Sequence, residues 1–317
     1  MQTLVIFILS FMLIGCAKTT DQKVMDAIDQ ALTYLSDEEC DKAIDVLEEV
    51  GNQPDNAIYL EVLSSAYACR ADFDMIDFIS DDVQAIDTSS FEDIMKSLSI
   101  LSLSAESTPD SNHYKDMRTA IGTILTDGDK QPSQRQRTDD FGPRKAGDTG
   151  IQVLVYSLVQ LGKFINLYGD VNASGVKGAG SGTNACFIDY TYANAQIVRA
   201  ATGGSCNGNI AGHAGLSITA PNAVRGNRRR CEGLMLFTNI LDILNNLDVS
   251  TSDVFKDIAT AGDEINDLRD TAIASDATLE TLLYTTSQIE CEKLMLTSTE
   301  SDNMELIFAL LFEAGLQ

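Results

Sequence analysis

Apolar residues recur at helical spacing at both ends of the chain. Near the start, one helix face carries Val24, Ala27, Ile28, Ala31, Leu32 and Leu35. Their i, i+3, i+4, i+7 pattern is typical of an amphipathic helix. Similar faces predict five more helices up to residue 125, and four helices between Leu234 and Leu316. We therefore predict an all-α fold of stacked antiparallel helical hairpins.

The middle of the chain follows a different pattern. Residues 126–150 are polar and rich in turn-forming residues, which predicts a mobile linker. Residues 151–168 form a strongly apolar helix. Its polar interruptions are Gln152, Gln160, Lys163 and Asn166. These favour burial in the core over a membrane span. Residues 169–231 hold half of the 22 glycines and predict a long loop-like insert, within a C-terminal helical region of residues 151–317.

A repeat is visible in the first third of the chain. Tyr34 and Tyr67 lie 33 residues apart, close to a known 34-residue helical period. Ala31 precedes Tyr34 at helical spacing, and Ala43 occupies a small position in the next helix. Residues 24–125 thus resemble tetratricopeptide (TPR) repeats. The resemblance implies a solenoid whose concave groove binds a peptide or helix. The alternative is an ordinary helical bundle with a coincidental period.

The N-terminus predicts export. Leu4 to Ile14 is an apolar run of eleven residues, too short for the ~20 residues of a spanning helix but typical of a signal peptide. It ends in Leu13-Ile14-Gly15-Cys16, which resembles the lipobox of bacterial lipoproteins. The resemblance implies a signal peptide at residues 1–15, acyl chains on Cys16 and an acylated tether at residues 16–23. The alternatives are a buried N-terminal helix or an uncleaved anchor.

Two details qualify the resemblance. Met1-Gln2-Thr3 contains no Lys or Arg, a departure from the usual basic start of a signal peptide. Ala17 follows the cysteine where an aspartate would imply retention at the inner membrane. The expected location is therefore the bacterial outer membrane, with the protein facing the periplasm or the cell surface.

Six further cysteines agree with an exported chain. They are Cys40, Cys69, Cys186, Cys206, Cys231 and Cys291. An even number predicts three disulfides, although six cysteines allow 15 pairings. Neighbouring ends of two antiparallel helices favour Cys40–Cys69. Cys186 and Cys206 bracket a glycine-rich loop, which leaves Cys231 with Cys291. The alternative is free buried thiols. The spacing shows no zinc motif, so no metal or cofactor is expected.

Charge narrows the choice of partners. The chain has 22 basic and 47 acidic residues, a net charge of −25. Residues 17–125 carry −16, residues 126–231 carry +5 and residues 232–317 carry −14. A protein that neutralises phosphates needs a basic face, so no nucleic-acid partner is expected.

Few residues suggest chemistry. Arg225, Arg228, Arg229 and Arg230 form the one dense basic patch, which either pairs internally or contacts an anionic partner. His213 lies in a glycine-rich stretch without a supporting nucleophile motif. Gly178, Gly180 and Gly182 lack the strand and helix of a phosphate-binding loop. Asp127-Gly128-Asp129 and Asp139-Asp140 lack the full calcium-loop pattern.

Three functions remain. The leading expectation is a non-enzymatic lipoprotein that holds an unidentified envelope protein in its helical groove and binds the membrane through acyl chains on Cys16. The second is a solute-binding accessory subunit of a transport system, with residues 169–231 as a lid. A deep pocket favours this second function. The third is an envelope hydrolase that uses His213, which requires a serine or aspartate within hydrogen-bond reach of the histidine.

Overall fold

A computed structural model of the chain describes residues 19–105, 108–125, 133–178, 186–202, 206, 211–219, 221, 223–247 and 256–316. The predicted signal peptide and Cys16 lie outside the described residues. The helices are α1 (Thr20–Ser36), α2 (Cys40–Glu49), α3 (Ala57–Arg70), α4 (Phe91–Ser99), α5 (Asn112–Leu125), α6 (Gln134–Phe141), α7 (Pro143–Tyr168), α8 (Ala193–Thr202), α9 (Ala223–Asn246), α10 (Lys256–Ser275), α11 (Gln288–Leu294) and α12 (Ser298–Ile307).

The predicted all-α class is confirmed for the described residues, which contain no β-strand. Their two β-type contacts are the isolated bridges Val171–Lys177 and Cys186–Gly212. Shorter helical turns lie at Met75–Asp77, Phe78–Asp82, Val83–Ala85, Ala214–Leu216, Ala277–Leu279, Glu280–Leu283, Phe308–Glu313 and Ala314–Leu316. Phe308–Glu313 follows α12 directly and interrupts the last of the four C-terminal helices that the apolar pattern predicts.

The first three helices pack in succession, α1 on α2, α2 on α3, and α1 also on α3. Thr19 begins α1 with a capping box, in which its hydroxyl accepts from the Gln22 N–H and the Gln22 side chain accepts from the Thr19 N–H. Gly51 ends the α2 turn at φ +76°, where glycine has no Cβ penalty. This succession of short helices fits the predicted hairpins. The finer TPR solenoid stays a prediction.

Helix α7 is the centre of the molecule. It packs against α3, α4, α5, α6 and α9. Within the described residues it is the one helix long and apolar enough to cross a membrane, and 78% of its most apolar stretch is buried inside the fold. Gly162 allows close approach of α4, because a Cβ there would lie 2.3 Å from the Leu98 carbonyl oxygen.

The predicted linker over residues 126–150 is wrong where the structure describes it. Residues 134–141 form α6, and α7 begins at Pro143 rather than at Ile151. Tertiary contacts hold these polar residues in helices. Arg137 is fully buried and donates from Nε and Nη2 to Gln134 Oε1, and the Gln134 N–H donates to Asp242. Polar composition alone gave no sign of these partners.

The described parts of the glycine-rich segment contribute side chains to the core. Cys186, Phe187, Ile188 and Leu216 are fully buried. The carboxylate of Glu313 accepts from the Phe187 N–H and lies 2.9 Å from Lys177 Nζ. The described part of the predicted insert is therefore tied to the C-terminal end of the chain.

The cysteines form the three pairs that the sequence favoured, Cys40–Cys69, Cys186–Cys206 and Cys231–Cys291. The first pair joins the start of α2 to the end of α3. The second lies within the glycine-rich segment. The third joins α9 to α11 across a separation of 60 residues.

Removal of the longest cross-link tests its contribution. We expect Cys231→Ala combined with Cys291→Ala to lower the free energy of unfolding by roughly 4 kcal/mol, because a closed loop of about 60 residues restricts the unfolded chain. Urea denaturation measures this loss. The matched pair Cys40→Ala and Cys69→Ala closes a shorter loop and serves as the comparison, with a loss of roughly 3.5 kcal/mol. An unchanged unfolding midpoint in the first variant contradicts the expectation.

Candidate functional site

A pocket of about 250 Å³ lies between α5, α7 and α9. Thr286, which precedes α11, and Gln288, the first residue of α11, close it. The two long helices α7 and α9 pack side by side, and α5 packs on α7, so the pocket lies where three helices meet. Its lining combines apolar side chains with polar and charged ones, and polar groups in a ligand site fix the orientation of a bound molecule.

Helical spacing brings each contributing face to the pocket. From α5 come Arg118, Ile121, Gly122 and Leu125. From α9 come Arg228, Glu232, Met235, Leu236 and Asn239. Both sets repeat every three or four residues, which places them on one side of a helix. Ser157 and Gln160 of α7 stand three residues apart and complete the wall.

Glu232 is the charged residue inside the site, with 8% of its side chain exposed. Its Oε2 lies 3.6 Å from Arg118 Nη1. Its Oε1 accepts from Gln160 Nε2 over 3.4 Å. Both distances are long for charge-assisted contacts, which prefer about 2.7–2.9 Å. The carboxylate is thus held in place while retaining capacity to accept further hydrogen bonds.

Two buried oxygens in the pocket-lining residues of α7 have no hydrogen-bond partner among the described residues. They are Ser157 Oγ and Gln160 Oε1, and both residues line the pocket. Leaving a buried polar atom unpaired costs roughly 1–3 kcal/mol. Most buried polar atoms in native proteins are paired, so two unpaired oxygens in one wall call for a physical reason. A bound polar molecule is one.

Tyr114 lies behind this wall. Its ring is fully buried, and its backbone carbonyl accepts from Gln160 Nε2. Burial raises the pKa of the Tyr114 phenol well above its usual value, and the negative charge of Glu232 raises it further. The phenol therefore stays protonated and adds no negative charge to the site.

The rim is cationic and partly exposed. Arg228 is exposed, and Arg118 keeps 40% of its side chain exposed. Two side-chain amides hold the residues around Thr286 and Gln288 at the rim. Asn239 Nδ2 donates to the Thr286 carbonyl, and Gln288 Nε2 donates to the Arg228 carbonyl. The pocket therefore has two guanidinium groups outside and one carboxylate inside.

The predicted four-arginine patch does not form one surface. Arg225 and Arg228 are exposed, whereas Arg229 donates to the Gly215 carbonyl and Arg230 is fully buried with Nε donating to Leu216. Successive residues of a helix are rotated by about 100°, so four neighbours face different directions. Burial also lowers the pKa of the Arg230 guanidinium to about 10. Of these four arginines, only Arg228 lines the pocket.

His213 lies apart from the pocket. Its Nδ1 accepts from the Gly215 N–H of its own turn at 3.0 Å, and its ring meets Tyr168 edge to face. Burial lowers the pKa of the His213 imidazole, and the charge of Arg229 lowers it further. Among the described residues, no serine or aspartate hydrogen bonds to this histidine. In a catalytic triad the aspartate holds Nδ1 of the histidine. In this protein, His213 Nδ1 already accepts the hydrogen bond from the Gly215 N–H.

The remaining candidates are placed as follows. Asp139 and Asp140 lie in α6, whereas Asp127 to Asp129, Gly180 and Gly182 lie outside the described residues. Within the described part of the chain, one cluster has metal-ligand types in proximity, Cys186, Cys206 and Glu313. Its two sulfurs are bonded to each other, and its carboxylate faces Lys177. Sulfurs in a disulfide are not the thiolates that bind metals.

Among the residues of the pocket, the sequence pattern singles out only Arg228 as a candidate contact residue. As a polar interruption of an apolar helix, Gln160 is predicted to lie in the core. Glu232 carries the same signal, a charged residue at the start of the apolar run of α9. A buried polar residue within an apolar helix was therefore the available sign of the site. Nothing in the local pattern of the chain indicates that these residues meet.

Comparison of the chain with known protein families, curated proteins and solved structures found no match.

Proposed function

We propose that this protein binds a small solute in the pocket between α5, α7 and α9. The observation that carries this proposal is the pair of buried oxygens, Ser157 Oγ and Gln160 Oε1, that line the pocket and have no hydrogen-bond partner among the described residues. A ligand with hydrogen-bond donors supplies what these atoms lack. The pocket fits the expected solute-binding subunit of a transport system better than the expected hydrolase.

The proposed role is non-enzymatic. Ser157 is the one hydroxyl on the α7 wall, and its oxygen has no hydrogen bond to a base. A serine nucleophile needs an adjacent general base to lower the barrier to attack. The described pocket residues include no histidine. Binding without chemistry is therefore the function that their geometry supports.

The location is proposed from the N-terminal sequence. Leu13-Ile14-Gly15-Cys16 resembles a lipobox, and the three disulfides suit an oxidising compartment. We propose that acyl chains on Cys16 hold the protein at the bacterial outer membrane. More than one chain gives stable attachment, since a single chain binds only marginally.

The solute-binding proposal is tested by filling the pocket. Acylated protein is dialysed to equilibrium against a bacterial small-molecule extract, and retained compounds are identified by mass spectrometry. We expect retention of at least one compound by the wild-type protein, and a loss of at least tenfold in Gly122→Leu. The larger side chain occupies the cavity, and replacing a helical glycine also favours the helix by up to about 1 kcal/mol.

The matched control is Gly147→Leu in α7. Gly147 is helical, and a Cβ there meets nothing within 4 Å. This variant therefore receives the same side chain away from the pocket and keeps its ligand. Equal retention by both variants, or no retained compound in the wild type, rejects the proposal.

The lipid anchor is tested by Cys16→Ser. We expect the wild-type protein to enter the detergent phase of a cloud-point extraction and the variant to stay in the aqueous phase, because serine offers no thiol for acylation. Intact-mass spectrometry shows the acyl groups directly. Cys40→Ala combined with Cys69→Ala is the control for loss of other cysteines. Detergent partitioning of the Cys16→Ser protein contradicts the anchor.

A protein-binding scaffold is the second candidate. The observation that favours it is an open groove of about 550 Å³ between α1 and α2, at the end of the described chain nearest the proposed lipid. Its polar lining includes Lys23, Asp26 and Gln30, and Val46 of α2 adds an apolar contact. A groove between two antiparallel helices suits a partner helix.

Two substitutions on α2 test the scaffold. Acylated protein is captured from crosslinked, detergent-solubilised envelopes, and co-purified proteins are quantified by mass spectrometry. We expect Val46→Lys to reduce a partner's recovery at least tenfold, because it places a charge in the groove. Asp45→Lys introduces the same charge at an exposed position outside the groove and serves as the control. Equal recovery with both variants rejects the scaffold.

A further inference from the structure

We propose that the pocket recognises a small zwitterion with a primary ammonium group, a carboxylate and a short aliphatic body, as in aliphatic amino acids. The inference rests on the proposed solute-binding function and names its ligand class. It follows from the order of charges in the site. Glu232 lies inside, while Arg118 and Arg228 stand at the rim.

The inner wall accepts hydrogen bonds. Glu232 offers a carboxylate whose two contacts are long, at 3.4 and 3.6 Å. Gln160 Oε1 has no partner, and Ser157 Oγ has none either. An ammonium group carries three donors and no acceptor, which matches three oxygens and the negative charge beside them.

The orientation of the Gln160 amide supports this assignment. Its Nε2 faces two acceptors, the Tyr114 carbonyl oxygen and Glu232 Oε1. The reversed amide would place an oxygen against both acceptors, which is unfavourable. The free end of the amide is therefore the oxygen. This end requires a donor from the ligand and not an acceptor.

The rim requires an anion. Arg118 and Arg228 contribute two positive charges against the single negative charge of Glu232. A guanidinium group binds a carboxylate through two parallel hydrogen bonds. A ligand with an ammonium group alone would leave the rim uncompensated, and a simple fatty acid would leave the inner oxygens unpaired. A zwitterion satisfies both ends.

Size and apolar surface define the body of the ligand. The cavity of about 250 Å³ is below the roughly 300–1,000 Å³ of sites for drug-sized molecules. Its apolar wall comes from Ile121, Leu125, Met235 and Leu236. A branched or linear chain of a few carbons can bury itself there without any further polar contact.

Titration calorimetry tests the ligand class. The acylated protein is kept in detergent at about pH 6.5, where α-amino groups are protonated. The probes are L-leucine, leucinamide, which lacks the carboxylate, and 4-methylpentanoate, which lacks the ammonium group. We expect L-leucine to bind at least tenfold more tightly than either analogue. Equal affinities for the three probes overturn the proposal.

Variants assign the two ends of the ligand. Glu232→Gln is expected to weaken L-leucine at least tenfold and to leave 4-methylpentanoate unchanged or tighter. Arg228→Gln is expected to weaken L-leucine and to leave leucinamide unchanged. A variant that merely distorts the site weakens all probes alike. Arg225→Gln is the matched control, because Arg225 lies on the same helix, is exposed and is outside the pocket.

Failure of this proposal is distinguishable from failure of solute binding. If none of the probes binds but Gly122→Leu still abolishes retention of a compound from the extract, the pocket binds a solute of another class and the zwitterion is rejected. If neither experiment shows binding, both proposals are rejected.

Discussion

The burial of helix α7 is the constraint on which the rest of the molecule depends. Twenty-six residues, Pro143–Tyr168, lie in one helix that packs against α3, α4, α5, α6 and α9. A helix with so much apolar surface has to be covered on nearly every side, and the hydrophobic effect supplies the drive. Its small residues set how closely neighbours approach. At Gly162 a side chain would collide with the Leu98 carbonyl of α4.

The same helix explains why a polar pocket occurs within an apolar core. Three helices meet around Ser157 and Gln160, and the side chains available there do not fill the space between them. The unpaired oxygens make the folded state less stable than a fully apolar wall would. Such a cost is typical of positions that serve binding rather than stability. The unpaired oxygens of the polar wall are consequently a cost that stability does not explain.

A second set of contacts fixes the glycine-rich segment to the core. Glu313 accepts from the Phe187 N–H and the Tyr190 hydroxyl through one oxygen and faces Lys177 through the other. Burial raises the pKa of the Tyr190 phenol well above its usual value, and the neighbouring Glu313 charge adds to the effect. Together with the Cys186–Cys206 bond, these contacts hold the described parts of this segment that lie outside α8. The glycines allow tight turns, and the ionic and covalent links determine where those turns lie.

The sequence alone determined the helical class, the helices at both ends and the ranking of disulfide partners. These depend on periodicity and spacing, which are local properties of a chain. Only the tertiary structure decided that residues 134–150 are helical, that the glycine-rich segment is buried and that the arginines diverge. It also decided the pocket, because Gln160 and Glu232 are 72 residues apart. Which helix faces meet, and where they leave a space, follows from packing among distant residues and cannot be read from local pattern.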